Sequence, residues 1–274
     1  MTVLTWADFA ERRARLDRPV DLTIGAFDGL HLGHRSLIAA ITAGLPEILP
    51  LVITFSRNPA LVLGRGEFPG LILSHQQKLE RLAGLGVGAV AVVDFSEELS
   101  KLSGRVFIGL LRENLVIRTI VVGYDFRFGR DRDTDAGGLA QMLRGSGTEV
   151  RVTGPVFHRG GVVSSSRIRK SIQEASFAEA REMLSADHSL DLRDLPVARQ
   201  GGMSLIPRKA MSQVLPRAGI YAVTCTRGAS DARYRGELTI GEGSLALTCA
   251  EGAEGAEGAE GAEGADITFA IFEQ

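Results

Sequence analysis

The apolar positions between residues 20 and 155 fall into short, nearly continuous runs, separated by stretches of helical periodicity. The runs at 20–24, 49–55, 87–94, 117–123 and 148–152 read as strands, because brief aliphatic and β-branched runs suit a strand buried on both faces. Between them, 74–85 reads as a helix with Ser74 as N-cap and Gly86 as stop. A second, 103–114, carries Val106, Phe107, Leu110 and Leu111 on its apolar side. This alternation predicts an α/β fold, a doubly wound, Rossmann-like parallel sheet that binds ligands at the carboxyl ends of its strands. A further helix is predicted over 165–184, with Ile168, Ile172, Phe177 and Leu184 on one side. Arg167, Arg169 and Lys170 crowd its first turns against the helix dipole, so either an anionic ligand or plain solvation balances them.

The pattern changes after Asp187. Residues 191–207 read as a linker rich in Asp, Pro and Gly, and 219–224, 234–240, 245–249 and 267–272 alternate as strands. We therefore expect two domains, 1–186 and 187–274, the second a smaller all-β, barrel-like one. Five Glu-Gly-Ala triplets fill 251–265. Glycine at every third position costs about 1 kcal/mol each in a helix, and a collagen strand would need prolines and partner chains, so 250–266 is expected to be a flexible acidic loop.

The formal charge of −2 includes the five glutamates of that tract, without which the chain stands at +3. Such a balance argues against non-specific nucleic-acid binding and suits phosphorylated small molecules. The two cysteines, Cys225 and Cys249, lie far apart in sequence and suggest neither a zinc cluster nor a disulfide, in keeping with a reducing cytoplasm. The first residues show no apolar signal region, and no run is long enough to span a bilayer. Small-molecule substrates are expected, and no membrane, nucleic-acid or protein partner.

The candidate chemistry lies where the first run ends. Thr23-Ile24-Gly25-Ala26-Phe27-Asp28-Gly29-Leu30-His31-Leu32-Gly33-His34 leads from a strand through a glycine-punctuated turn into a helix, whose first N–H groups are free to meet an anion. His31 and His34 sit three residues apart, one closing the loop and one in the first helical turn, so both can donate to a single triphosphate. No Cys, Glu or third His lies near them to complete a typical metal site, and no metal ligand is assigned. Asp28 reads as a turn residue.

His31-Leu32-Gly33-His34 resembles the H-x-G-H signature of class I nucleotidyltransferases. The longer string 25–34 is similar to the form found in bacterial FAD synthetases, the riboflavin kinase/FMN adenylyltransferase family. Three further segments agree: Thr54-Phe55 with Pro59, the stretch Val121-Val122-Gly123-Tyr124-Asp125-Phe126-Arg127-Phe128-Gly129 against "VVGxDFRFG", and Val163-Ser164-Ser165-Ser166-Arg167-Ile168-Arg169 against "SS(T/S)xIR". The resemblance implies transfer of AMP from ATP, with its Mg²⁺, to FMN, giving FAD and pyrophosphate. It implies catalytic phosphate contacts for His31, His34 and Arg167, and ATP-binding roles for Gly25, Phe27, Gly33, Ser164, Ser165 and Ser166. It implies flavin contacts for Phe55, Pro59, Asp125, Phe126 and Phe128, of which Phe55 and Phe126 also read as core. Ala26 stands where the family commonly has Asn, and Arg57-Asn58-Pro59 replaces its "PHP".

In the β region the resemblance to the family's kinase barrel rests on Gly219-Ile220-Tyr221-Ala222-Val223, while Gly201-Gly202-Met203-Ser204-Leu205-Ile206-Pro207 replaces "GFPTAN" and the acidic catalytic segment is not found. A degenerate kinase module without kinase activity is expected. The alternatives are a bifunctional enzyme, a related transferase using another phosphorylated acceptor, and an inactive flavin-binding module.

Overall fold

All five residues of Val20–Ile24 are buried, which forces this strand into the middle of its sheet. The computed structural model describes residues 1–11, 13, 16–56, 68–94, 100–228, 232–250 and 267–273. Pro59, Arg57, Asn58 and the Glu-Gly-Ala tract lie outside the described residues. Packing divides the chain into two units, Met1–Phe68 with Lys78–Val163, and Pro69–Gln77 with Ser164–Gln274.

Along the first part of the chain run β1 (Thr2–Thr5), α1 (Trp6–Ala10), β2 (Val20–Ile24), α2 (Leu32–Thr42), β3 (Leu49–Phe55), α3 (His75–Gly84), β4 (Ala89–Val93), α4 (Gly104–Asn114), β5 (Ile117–Gly123), β6 (Arg127–Phe128), β7 (Thr134–Asp135), α5 (Ala136–Met142), β8 (Glu149–Thr153), β9 (Phe157–His158) and β10 (Gly161–Val162). Six of the strands form a parallel sheet in the order β1-β4-β3-β2-β5-β8. On one face Val20, Leu22, Ile24, Leu51, Ile53, Ile120 and Val122 meet Phe107, Ile108 and Leu111 of α4 and Leu139 of α5 in a single core. Helix α2 buries Leu37, Ile38 and Ile41 and packs on β2, β3 and β5. The expected doubly wound sheet is present. Its order reverses between β2 and β5, so the loops leaving those two strands open at the switch point. Ser103 caps α4, its Oγ accepting from the Val106 N–H at 3.3 Å, and Gly86 ends α3 region turns at φ 81°.

The second unit holds α6 (Ser165–Gln173), α7 (Phe177–Leu184), β11 (Ser189–Asp191), β12 (Ala198–Gln200), β13 (Met203–Pro207), β14 (Gly219–Arg227), β15 (Arg233–Ile240), β16 (Ser244–Cys249) and β17 (Ile267–Phe272). Its seven-stranded antiparallel sheet, ordered β11-β17-β14-β15-β16-β13-β12, forms the barrel-like region. Leu190, Ile206, Val223, Leu238, Leu247 and Phe272 belong to its core. A buried polar network sits alongside. Gln213 accepts from the Asp191 N–H at 2.7 Å and donates to the Ile72 carbonyl, the Ser189 carbonyl and Gln77. Ser74 donates to Asp191 at 2.5 Å.

Three expectations are corrected. The helix expected over 165–184 is two, α6 and α7, because Ala175 takes φ 58° and the Ser176 N–H turns back to the Ser171 carbonyl at 2.8 Å, closing α6. The expected linker 191–207 contains the hairpin β12–β13, turned by Gly201 and Gly202, both at positive φ. Cys225 and Cys249 form a disulfide. They lie on β14 and β16, the two neighbours of β15, and Gly236 of β15 pairs with Cys249. A Cβ at position 236 would stand 2.7 Å from Cys225 Sγ and 3.2 Å from Cys249 Sγ, so the missing side chain is what lets the sulfurs meet across the intervening strand.

Gly236→Ala is accordingly expected to leave two titratable thiols in denatured, unreduced protein where the parent chain shows none. Losing a cross-link across 24 residues of sequence should lower stability by about 3 kcal/mol, read as a drop in the urea midpoint.

Candidate active site

Strand β2 ends in a loop whose backbone is strained at two side-chain-bearing residues. Phe27 (φ 51°) and Leu30 (φ 45°), with Gly29 (φ 88°), lie in the left-handed region. Each such residue costs on the order of 1 kcal/mol or more and persists only where its surroundings hold it. The hold is burial: Phe27 and Leu30 are among the largest fully buried side chains. Gly25 and Gly33 have no positive φ; their value is clearance. A Cβ on Gly33 would lie 3.2 Å from His31 Cε1, and one on Gly25 would lie 3.2 Å from the Phe27 ring.

His31 is 6% exposed and caps α2, its Nδ1 accepting from the His34 N–H at 3.3 Å. That acceptor role puts the proton of the neutral ring on Nε2. The His31 and His34 rings stack at 3.7 Å between centroids, and Phe27 meets His34 edge-on at 5.2 Å. His34 Nδ1 is buried with no hydrogen-bond partner among the described residues. Burial first, then the His31 ring and the Lys78 ammonium, hold His34 well below the usual histidine range, so it is neutral.

Lys78 of α3 is the member of this constellation that sequence reasoning missed. Only 8% exposed, it donates to the Phe55 carbonyl at 2.8 Å, the Thr54 hydroxyl at 3.1 Å and the Ala26 carbonyl at 3.4 Å. Thr54 in turn donates to the Ala26 carbonyl at 3.1 Å. Burial, opposed in part by the buried Asp28 carboxylate, pulls the ammonium down from 10.5 to about 8. The sequence carried a partial signal: Lys78 lies four residues before Leu82, on the same helix face.

At the end of β5, Asp125 is exposed, while Phe126 stacks on Phe128 at 5.1 Å and Phe128 meets Phe107 edge-on at 6.0 Å. Phe55, Phe126 and Phe128 all pack against the core of the first unit, so part of each ring is already committed.

In the second unit Ser164 caps α6, accepting from the Arg167 N–H at 3.3 Å. Ser165 is half-buried and Ser166 exposed in the first turn. Arg167 pairs with Glu179 of α7 at 2.7 Å, and Ser171 donates to the other Glu179 oxygen at 3.2 Å. Arg169 is buried and donates to the Gly70 carbonyl at 2.9 Å, and Lys170 is exposed beside Glu174. Arg169 has a structural task and Lys170 a solvated one. Among the described residues no cluster of three or more His, Cys, Asp or Glu is placed to hold a metal, and no described helix is long and apolar enough to cross a membrane.

A Rossmann-like parallel sheet with a paired-histidine turn at its switch point defines a nucleotidyltransferase. Residues 14–167 match the FAD synthetase family. The chain is 28% identical over 231 residues to the bifunctional riboflavin kinase/FMN adenylyltransferase of Listeria monocytogenes, covering 82% of this chain and 71% of that protein. It is 30% identical over 169 residues to an FAD synthetase of the same organism, covering 61% of this chain and 69% of that one. In fold alone it is similar to a crystal structure titled macrolide-efflux protein from Streptococcus pneumoniae, with a TM-score of 0.80 at 20% identity over 99% of this chain and 90% of that one. The chain belongs to the FAD synthetase family and by that membership is an ATP:FMN adenylyltransferase.

Both buried groups make stability rise with pH. His34 resists a proton that the unfolded chain accepts below about 6.5, so stability falls on acidification. Lys78, at about 8 folded against 10.5 unfolded, carries its charging cost in full at neutral pH and sheds it as pH rises through that window. Urea unfolding between pH 8 and 10 should show the parent chain gaining roughly 2–3 kcal/mol relative to Lys78→Met.

Proposed function

We propose that His31 and His34 are the phosphate contacts for adenylyl transfer in this chain, and the observation that carries the assignment is their stacked pairing at the amino terminus of α2, His31 buried and His34 half-buried. An FMN phosphate oxygen attacks the α-phosphorus of ATP in line, one P–O bond forms, the bond to the β-phosphate oxygen breaks, and pyrophosphate leaves with the displaced electron pair. Such a step needs positioning and charge neutralisation and no covalent nucleophile. Neutral imidazoles donate through ring N–H groups, and the first N–H groups of α2 add their dipole.

Gly25, Phe27 and Gly33 are assigned to the ATP-binding turn, and Ser164, Ser165, Ser166 and Arg167 to the triphosphate. For Arg167 the exchange is of one anion for another, since Glu179 already occupies the guanidinium. Phe55, Asp125, Phe126 and Phe128, with Pro59, are assigned to the flavin; exposure of Asp125 and half-exposure of Phe126 and Phe128 leave surface for it. The described residues offer no acidic cluster for Mg²⁺, so the ion is taken as entering on ATP, and no step is routed through it. The near-neutral charge favours action on small molecules alone, and a cytoplasmic location is proposed from the family resemblance, against the Cys225–Cys249 disulfide, a bond rare in a reducing compartment. The domain boundary at 186/187 is retained as the division between the transferase sequence motifs and the β region.

The β region is proposed to lack riboflavin kinase activity. The kinase reaction needs a Thr/Asn pair and a carboxylate base, and where the family has "GFPTAN" this chain has the β12–β13 hairpin with Gly201-Gly202 at its turn.

His31→Ala and His34→Ala should each lower single-turnover FAD formation by roughly 10² or more, with substrate affinity affected less. Unchanged rates in both would reject the phosphate assignment. Riboflavin, ATP and Mg²⁺ incubated with the purified protein and followed by chromatography should yield no FMN; its appearance would restore the bifunctional reading.

A further inference from the structure

Lys78 Nζ has three N–H groups and three protein acceptors, the Phe55 carbonyl, the Thr54 hydroxyl and the Ala26 carbonyl. An ammonium so occupied has no donor left for a ligand phosphate without breaking one of these bonds. Ala26 belongs to the loop after β2, and Thr54 and Phe55 to the end of β3, so one cation gathers oxygens from two adjacent strand ends. A neutral amine has only two N–H groups and cannot serve all three, which ties the geometry to the charged form.

We infer that Lys78 is a positioning residue for phosphate handling: its ammonium joins the carboxyl ends of β2 and β3 at the root of the histidine turn and so fixes where that turn leaves the sheet. The groups acting on His34 are the stacked His31 ring and Lys78, with Phe27 against its edge, and Asp28 faces Lys78. Burial is the first cost of protonating His34, and the His31 ring and the charged Lys78 add to it. The consequence is functional. A neutral His34 keeps one ring nitrogen as an acceptor and the other as a donor, and Nδ1 is the buried atom left without a partner in the described structure. An incoming ATP phosphate meets a ring already in that state, with one N–H to donate and no proton to shed. The inference rests on the phosphate role proposed for His34, and Lys78 acts through that ring without touching substrate.

The test is a side-chain ¹H–¹⁵N titration of the histidines in the free protein, with His34 assigned by His34→Gln. In the parent chain His34 should stay neutral across the stable range. Lys78→Met should raise its midpoint, whereas Lys78→Arg, which keeps the charge, should leave it low. Lys78→Gln, also uncharged, serves if Lys78→Met fails to fold. The acid limb of FAD formation should move up in pH with the NMR midpoint in the uncharged variants, and kcat at neutral pH should fall about tenfold with KM for ATP changed less. An unmoved His34 midpoint in both uncharged variants, or an equal rise in Lys78→Arg, overturns the inference. Absence of FAD formation by the parent chain would instead overturn the functional reading, and the histidine titration would still decide the role of Lys78.

Discussion

Burial of β2 on both faces, between parallel neighbours, is the constraint from which the site follows. Strand Val20–Ile24 pairs with β3 on one side and β5 on the other, so its chain can leave only at the carboxyl end, where the sheet order reverses. The exit is tight enough that Phe27 and Leu30 take left-handed backbone angles, and their complete burial supplies the apolar free energy that holds them there. The strained loop delivers His31 to the cap of α2 with its ring fixed by the His34 N–H. Positioning of the histidines is thus a product of the core beneath them.

Electrostatics at this point run against ordinary stability. A buried ammonium and a helix amino terminus concentrate positive potential beside the stacked imidazole pair, and only Asp28 opposes it among the groups acting on Lys78. Positive potential at a helix amino terminus favours an anion. Arg167 shows the complementary strategy in the second unit: its charge is satisfied in advance by Glu179, with Ser171 steadying the carboxylate. Neutralised in this way, a half-buried guanidinium is kept in one place.

The second unit stabilises itself by different means. Gln77, Gln213, Ser189 and Asp191 satisfy one another inside it, and Arg193 closes on Asp191 through its backbone and guanidinium N–H groups. A fully satisfied buried network specifies one arrangement. The disulfide over Gly236 adds a covalent tie between strands that never pair directly.

Hydrophobic periodicity by itself determined the parallel sheet, since 20–24, 49–55 and 117–123 are strands with the bounds that their apolar runs set, and local spacing determined that His31 and His34 share a turn. Capping by Ser74 was legible for the same reason: it depends on residues within one helical turn. What lay beyond one turn was not. Lys78 lies 24 residues from Thr54, Cys225 lies 24 from Cys249, and Arg167 lies 12 from Glu179, and nothing in their flanking residues encodes those meetings. The break at Ala175 is likewise set by a carbonyl that the turning chain must find. Local pattern dictates which backbone hydrogen bonds form along an element, whereas charge pairing, pKa and cross-linking depend on distances through space that only the packed sheets and helices decide.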